Sequence, residues 1–185
     1  MNTEIGNTLY FPAEDSYLMA EAVTNYSGIM ALEVGIGSGI VTEHLNKRFE
    51  VVVGTDLNSK SLVHARQRLN QKIGLVCCNF SDAIRSKFDL IVSNPPYLPN
   101  PGKAKLDYAI DGGPSGIEWS LNFLKVVVTS LKPSGKILLL TSSLSNILIL
   151  DDFLRRWGLR KKQIIKRNLF FEALTVFQIS RPGKT

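Results

Sequence analysis

The hydrophobic pattern of the chain alternates between short apolar runs and segments in which apolar residues recur at helical spacing. Short runs rich in β-branched residues and leucine are typical of buried strands. Such runs occupy residues 29–34, 51–56, 73–80, 87–94 and 135–142. Helical spacing is found at residues 40–48, 58–71 and 115–131, and a turn composition (KPSG) at residues 132–135. Strands that alternate with helices predict a parallel sheet covered by helices on both faces.

The last two apolar runs are arranged differently from the others. Residues 161–168 (KKQIIKRN) and 172–180 (EALTVFQIS) have no helical segment between them, only a connection near residues 168–171. Two strand-like runs joined this closely predict an antiparallel hairpin. The whole pattern therefore predicts an α/β fold with a mostly parallel seven-stranded sheet and a C-terminal antiparallel hairpin.

Length and composition limit the class of protein. The 185 residues suit one domain, so we expect a single domain over residues 1–185. The sequence has no uninterrupted apolar run of about 18 residues, and its N-terminus lacks the basic-then-apolar order of a signal peptide. We therefore expect a cytoplasmic protein that does not contact the membrane.

Basic residues give the chain a net charge of +6 and cluster in residues 154–167 (LRRWGLRKKQIIKR). A basic surface raises encounter rates with RNA, ribosomes or acidic proteins. A solvated helix end followed by an edge strand accounts for the cluster equally well. The charge therefore does not select among partners.

Two adjacent cysteines, Cys77 and Cys78, lie in the apolar run IGLVCC. A buried free cysteine behaves as a small hydrophobic residue, and two residues without companion cysteines make a poor zinc site. We expect both thiols to pack in the core, and we expect no metal site.

Three glycines follow the first predicted strand, where a helix begins. Gly35, Gly37 and Gly39 allow the backbone to approach a ligand closely. Asp56 ends the next strand, where a carboxylate can accept hydrogen bonds from ribose hydroxyls. Glu33, just before the glycines, would repel a pyrophosphate but suits a cation. A cofactor with ribose, positive charge and no phosphate fits this pattern, and S-adenosylmethionine is such a cofactor. The alternative is a tight structural turn beside an incidental acid.

The segment Asn94–Tyr97 (NPPY) ends the apolar run FDLIV abruptly, since proline cannot continue a central strand. The side-chain oxygen of Asn94 and the carbonyl of Pro95 can each accept a hydrogen bond. Two such acceptors can hold both N–H groups of a planar nitrogen and aim its lone pair at a methyl donor. Pro95 and Pro96 fix the carbonyl direction in advance, and Tyr97 can pack against the planar group. We predict methyl transfer to a planar nitrogen, with these four residues as the catalytic segment.

The segments PAEDSYLMAEAV, LEVGIGSG, TDLN and SNPPY occur in an order that resembles HemK-type protein glutamine N5-methyltransferases. The short archaeal and eukaryotic branch, which methylates class I translation release factors, is the most similar. The resemblance implies a Rossmann-like class I methyltransferase that uses S-adenosylmethionine and modifies the glutamine of a Gly-Gly-Gln motif. The tetrapeptide alone is shared with DNA adenine and rRNA guanine methyltransferases. A nucleic-acid amino methyltransferase is therefore the alternative.

The resemblance also implies a set of cofactor-binding positions. They are Ser16, Glu33, Gly35, Gly37, Asp56, Leu57, Asn79, Phe80 and Asn94. At Asn79 relatives usually carry an aspartate, so the amide must accept from the adenine amino group without charge assistance. Asp82 could take over that contact if the loop runs differently.

Two further expectations concern the surroundings of the site. The third strand, near residues 74–78, should form a sheet edge with no charge or proline to discourage pairing. Relatives in the short branch work with a small zinc-binding activator that covers this region, so we expect a heterodimer. Residues 107–116 (DYAIDGGPSG) resemble a substrate-side lid, although a glycine-rich turn that caps a helix through Ser115 fits equally well.

Overall fold

The computed structural model describes residues 10–102, 107 and 109–183. In chain order these residues form α1 (Glu14–Val23), β1 (Gly28–Val34), α2 (Ile40–Leu45), β2 (Phe49–Asp56), α3 (Ser59–Arg68), β3 (Gly74–Cys77), β4 (Phe88–Ser93), β5 (Leu98–Pro99), β6 (Asp111–Gly113), α4 (Glu118–Val127), a 3-10 turn (Val128–Ser130), β7 (Leu131–Ser142), α5 (Ile147–Arg156), β8 (Arg160–Asn168) and β9 (Ala173–Ser180). A chain of strands and helices in this order confirms the predicted α/β class.

Seven strands form one sheet in the order β3-β2-β1-β4-β7-β9-β8. The pairs β3–β2, β2–β1, β1–β4 and β4–β7 are parallel. Strand β9 is antiparallel to both β7 and β8. The mostly parallel seven-stranded sheet and the C-terminal antiparallel hairpin are therefore both confirmed.

Both faces of the sheet are covered by helices. On one face, side chains such as Ala31 and Leu90 pack against α1 and α2. On the other face, their chain neighbours Leu32 and Ile91 pack against α4 and α5. Successive residues of a strand point to opposite faces, so a strand buried on both faces must be apolar throughout. This explains why the central strands appear in the sequence as continuous apolar runs.

Several element boundaries differ from the predicted ones. The helix expected at residues 40–48 ends at Leu45, and the helix expected at 115–131 begins at Glu118. The turn predicted at residues 132–135 instead lies within the bounds of β7. Phe88 pairs with Leu131 but Leu90 pairs with Lys136, so the extra residues form a bulge in the strand.

The prediction that both cysteines are buried is wrong. Cys77 is exposed and Cys78 is half-buried, and both are free thiols. Strand β3 lies at the edge of the sheet and, among the residues that the structure describes, pairs with β2 alone. The edge position predicted for this strand is confirmed.

The basic cluster lies at the end of α5 and in β8, the other edge strand. Several of its side chains are engaged in ion pairs with neighbouring acids: Arg155 and Arg156 with Asp152, Lys161 with Asp151, and Arg167 with Glu14 and Glu21. The cluster is thus partly neutralised within the fold. No helix among the described residues is long and apolar enough to cross a membrane.

Candidate active site

The candidate site is a cavity of about 470 Å³ at the carboxyl ends of β1, β2 and β4. Strand β4 pairs with β1, so the segment after β4 lies beside the glycine turn after β1. Ligands of open α/β sheets bind at this end of the strands. All the predicted site residues line this one cavity: Ser16, Glu33, Gly35, Gly37, Asp56, Leu57, Asn79, Phe80, Asn94, Pro95, Pro96 and Tyr97.

The glycine turn presents bare backbone to the cavity. Gly35 and Gly37 have φ angles of 76° and 48°, in the region that favours glycine. A Cβ atom built at either position meets no atom within 4 Å, so the space above the turn is open. The turn is anchored to β2, because the amide of Gly35 donates to the carbonyl of Thr55 at 2.8 Å. A ligand can therefore approach this backbone directly.

Asp56 is oriented by backbone amides at the end of β2. One carboxylate oxygen accepts from the Gly37 amide at 3.1 Å, and the other accepts from the Asn58 amide at 2.8 Å. Burial raises the pKa of Asp56, and these amide hydrogen bonds oppose that shift. The amide of Leu57 and the hydroxyl of Ser61 also donate to this carboxylate, so its orientation is fixed from several sides while it lines the cavity.

Glu33 is a buried acid directly below the glycine turn. Its side chain is 3% exposed and accepts a hydrogen bond from the hydroxyl of Thr42. Burial raises the pKa of Glu33 to about 8, although the Thr42 hydrogen bonds act in the opposite direction. A cation near this carboxyl would favour its ionised form. Glu33 is thus suited to a positively charged ligand.

Asn94 places a buried side-chain oxygen at the end of β4. Its side-chain oxygen is buried and has no hydrogen-bond partner among the described residues. A buried acceptor without a partner is costly and therefore uncommon. The end of β4 is fixed next to it, because the hydroxyl of Ser93 donates to the carbonyl of Val34 at 2.9 Å. Asn94 therefore offers a rigidly placed acceptor to a donor that enters the cavity.

The rest of the tetrapeptide is fixed by the segment that follows it. The carbonyl of Tyr97 accepts from the hydroxyl of Ser145 at 2.9 Å. Strand β5 begins at the next residue and pairs with β6. A Cβ atom at Gly112 of β6 would lie 2.9 Å from the Pro96 carbonyl oxygen, so the close approach requires glycine. The tetrapeptide is thereby held between the sheet and β6.

The predicted lid segment is only partly within the described residues, because position 108 lies outside them. Asp107, Ala109, Ile110 and Asp111 line the cavity, and a lid movement remains a prediction. The interpretation that Ser115 caps the following helix is wrong. The N-cap residue of α4 is Ile117, and residue 115 instead donates both its hydroxyl and its amide to the carboxylate of residue 118 at 2.6 and 3.0 Å.

A buried acid that the sequence analysis missed connects α1 to the tetrapeptide. Asp15 is 4% exposed and accepts a hydrogen bond from the hydroxyl of Tyr10 at 2.6 Å. The hydroxyl of Tyr97 lies 3.4 Å from the same oxygen. Burial, and then the nearby Asp15 carboxylate, raise the pKa of both tyrosines above its usual range. One indication that Asp15 belongs to the site was present in the sequence, because it directly precedes Ser16 in the PAEDS segment.

Ser16 is placed by the same acid. Its backbone amide donates to the second oxygen of Asp15 at 2.5 Å, and its hydroxyl donates to that oxygen at 3.1 Å. The side chain of Ser16 is 5% exposed and lines the cavity. A cofactor contact by Ser16 would therefore depend on Asp15.

The far end of the cavity, beside β3, is aromatic and amide-lined. Phe80 has a φ of 48° and lies edge to face with Trp119 at a centroid distance of 4.9 Å. The side-chain amide of Asn79 donates to Asp82 at 3.3 Å, which leaves its carbonyl oxygen free to accept. Asn79 lines the cavity, whereas Asp82 is not among the described lining residues. The geometry therefore favours Asn79 over Asp82 as the residue that would accept a hydrogen bond from a planar ring bound at this end of the cavity.

Comparisons with known proteins agree with this fold. The methyltransferase-domain family matches residues 31–107. MJ0928 of Methanocaldococcus jannaschii, provisionally assigned as a protein N5-glutamine methyltransferase, is 30% identical over 183 residues, covering 94% of this chain and 92% of that protein. The mouse methyltransferase HEMK2 is 27% identical and covers 94% of this chain and 90% of its own.

One solved structure is similar over nearly the whole chain. It is the E. cuniculi Mtq2–Trm112 complex, described as responsible for methylation of the eRF1 translation termination factor. The TM-score is 0.78 at 26% sequence identity, with 94% of this chain and 98% of that chain covered. The similarity covers much more of the chain than the segment that the methyltransferase-domain family matches, and it confirms the expected class I methyltransferase fold.

Proposed function

The chain belongs to the family of protein N5-glutamine methyltransferases, and we propose that it methylates the glutamine of a Gly-Gly-Gln motif in a class I translation release factor. The support for the acceptor is the similarity to the Mtq2–Trm112 complex that methylates eRF1. The observation that carries the proposal in this chain is the buried side-chain oxygen of Asn94, which has no hydrogen-bond partner in the described part of the chain. A glutamine side-chain amide can donate to that oxygen.

S-adenosylmethionine is the proposed methyl donor, and the residues present fit it. The open glycine turn accommodates a ligand against backbone, while Glu33 suits its ammonium and sulfonium charges. Asp56 would accept from the ribose hydroxyls, and Leu57, Asn79 and Phe80 would surround the adenine. When bound, the cofactor supplies a methyl group that is already activated by the sulfonium.

The tetrapeptide would act by positioning the amide nitrogen. An amide lone pair is delocalised and a poor nucleophile. The Asn94 oxygen and the Pro95 carbonyl would accept the two N–H groups, which favours a more pyramidal nitrogen whose lone pair points toward the donor. Pro96 restricts the backbone, and Tyr97 would pack beside the amide plane. No strong general base is required, because the proton can leave after the methyl group has been transferred.

The domain organisation is also a proposal. One seven-stranded sheet with a helical layer on each face, together with the two-stranded pair β5–β6, spans the described residues from α1 to β9. We expect residues 1–185 to act as one methyltransferase domain.

A small zinc-binding activator is the proposed partner. Strand β3 is an edge strand, its residues 74–77 carry no charge or proline, and Cys77 is exposed. An edge of this kind can accept a strand from another protein. The similar Mtq2 structure is a complex with Trm112. A heterodimer in which the activator covers β3 would be consistent with both observations.

Methyl transfer from radiolabelled S-adenosylmethionine tests the function. The chain, co-expressed with a zinc-binding activator, is offered a class I release factor, tRNA and rRNA in parallel. We expect label in the release factor, and mass spectrometry should find one methyl group on the motif glutamine. A release factor with alanine in place of that glutamine is the matched control. Methylated RNA with an unmodified release factor would establish the nucleic-acid alternative instead.

A further inference from the structure

The tip of the β8–β9 hairpin exposes two adjacent aromatic side chains. Phe170 is 92% exposed and Phe171 is 84% exposed, more than any other exposed large hydrophobic residue described. Their rings lie edge to face at a centroid distance of 4.6 Å. Clustered exposed aromatic surface marks interaction sites, because aromatic side chains gain much when they are buried by a partner.

The aromatic pair, Phe170 and Phe171, is presented by a fixed backbone. The amide of Leu169 donates to the carbonyl of Glu172 at 2.7 Å and closes the tip. Leu169 also packs against the core, and the amide of Ala173 donates to the hydroxyl of Ser143 at 2.9 Å. Because both flanks are held, a partner that binds the pair loses little entropy in ordering this loop.

The hairpin tip lies at the same end of the sheet as the candidate active site. Strand β8 is parallel to the central strands, since it pairs antiparallel with β9 and β9 pairs antiparallel with β7. The carboxyl end of β8, which leads into the tip, therefore points the same way as the carboxyl ends of β1, β2 and β4. The aromatic pair thus projects on the side from which a substrate must enter.

A chain of contacts joins the tip to the tetrapeptide. Glu172, which follows Phe171, accepts a hydrogen bond from the hydroxyl of Ser142. In the same loop, Ser145 donates to the carbonyl of Tyr97 at 2.9 Å. Burial raises the pKa of Tyr97 most, and the charges of Asp15 and Glu172 add to the effect. Hydrogen bonds therefore link the segments on both sides of the β7–α5 connection, one to the hairpin tip and the other to the tetrapeptide.

We propose that Phe170 and Phe171 form a docking site for an apolar part of the methyl-acceptor protein. This inference rests on the proposed function. A cavity of about 470 Å³ admits a side chain but not a folded protein, so the rest of the acceptor must lie over the rim. The activator is not the expected occupant, because β3 and β8 are opposite edges of the sheet. Six strand spacings of about 4.8 Å separate them by about 29 Å.

The double variant Phe170→Ser/Phe171→Ser, in complex with the activator, tests this inference with two acceptors. For the intact release factor we expect KM to rise by about tenfold or more, as for loss of an interface hot spot. For a short peptide that contains only the Gly-Gly-Gln segment, we expect KM and kcat within about twofold of the unaltered enzyme. Activity on the peptide also verifies that the variant is folded. Ile29→Ser, an exposed apolar residue at the amino end of β1, is the control.

The possible outcomes show whether the docking site or the proposed function is wrong. If the unaltered enzyme methylates neither acceptor, the proposed function fails. If it methylates both and the double variant keeps its KM for the intact factor, the docking site is overturned while the function stands. Loss of the activator complex, or a change in oligomeric state on size-exclusion chromatography, would assign the aromatic pair to another interface and would also overturn the inference. The single variant Phe170→Ser repeats the test with a smaller change.

Discussion

The hydroxyl of Tyr97 lies 3.4 Å from a carboxylate oxygen of Asp15, although 82 residues separate them in the sequence. The same oxygen accepts the hydroxyl of Tyr10 at 2.6 Å. A buried carboxylate on α1 thus joins the N-terminal segment to the end of β4. The tetrapeptide is consequently positioned by a helix that the hydrophobic pattern did not predict.

We expect Asp15 to affect turnover because it positions Tyr97. We expect both Asp15→Ala and Tyr97→Phe to lower kcat for the release factor by about tenfold, since each removes a hydrogen bond to a charged group. If Asp15 positions Tyr97, the double variant should be little worse than either single variant. Asp15→Asn keeps an acceptor oxygen and should restore part of the rate. Fully additive losses in the double-mutant cycle would show that the two residues act independently.

Asn94→Ala should leave the fold intact and nearly abolish turnover. Within the described part of the chain, the oxygen removed is buried and has no hydrogen-bond partner, so its removal breaks no hydrogen bond there. Its contribution is expected while the amide nitrogen pyramidalises, and we expect kcat to fall by about a hundredfold or more. Because Asn94 is also an expected cofactor contact, calorimetry with S-adenosylhomocysteine should find that much, though not all, of the affinity is kept. Asn122→Ala, at an exposed position on α4, is the control, and an Asn94 variant within a few-fold of the normal rate would remove the assigned role.

Asp56→Ala should weaken cofactor binding. The variant loses a charged acceptor for the ribose hydroxyls, which costs about 1.5–3 kcal/mol and thus more than tenfold in affinity. Titration calorimetry with S-adenosylhomocysteine measures this loss. Glu50→Ala removes an exposed acid from the same strand and should bind normally. Equal affinity in the two variants would exclude Asp56 from the site.

Glu33 should make cofactor binding depend on pH. Burial raises its pKa to about 8 in the ligand-free protein, and a cationic ligand favours the ionised form. Binding near neutral pH then releases a proton, and affinity should increase as the pH rises toward about 8. Titration calorimetry in buffers of different ionisation enthalpy measures the released proton. Glu33→Gln should remove both the proton release and the pH dependence, whereas identical pH profiles would show that Glu33 does not sense the ligand.

The raised pKa of Glu33 should also make the free energy of unfolding depend on pH. The folded-state value of about 8 exceeds the ordinary value of 4.5, so the unfolded chain loses this proton first. The Glu33 contribution to the free energy of unfolding is therefore fully present below 4.5 and is lost as the pH rises through about 8. Thermal melts of the ligand-free protein should show this decline, and Glu33→Gln should reduce it.

Strand β3 should bind the activator through its backbone. The amide of Cys78 donates to the carbonyl of Asp56, so the alternation of a parallel ladder turns the amide of Cys77 away from β2. Cys77→Pro removes that outward amide without removing a hydrogen bond to β2. We expect it to abolish co-purification with the activator, whereas Cys77→Ser should retain it. A stable complex of the proline variant on size-exclusion chromatography would mean that this edge is not used.

The strands, the turns and part of the site could be predicted from short sequence patterns alone. Continuous apolar runs identified the central strands, because strands buried on both faces must be apolar throughout. The glycines after the first strand and the proline pair after the fourth marked the places where the chain leaves the sheet. These patterns depend on neighbours in the sequence, so the fold class and some of the residues that line the cavity could be predicted, although Asp15 could not.

Long-range packing decided the rest. Cys77 and Cys78 were expected in the core because their run is apolar, but a strand with one neighbour leaves half of its surface uncovered. Asp15 and Tyr97 meet only because α1 packs beside the carboxyl end of β4. The aromatic pair at positions 170 and 171 likewise gains its place near the cavity from the register of the hairpin. Burial, partner identity and edge position depend on which elements become neighbours, and only the folded chain brings them together.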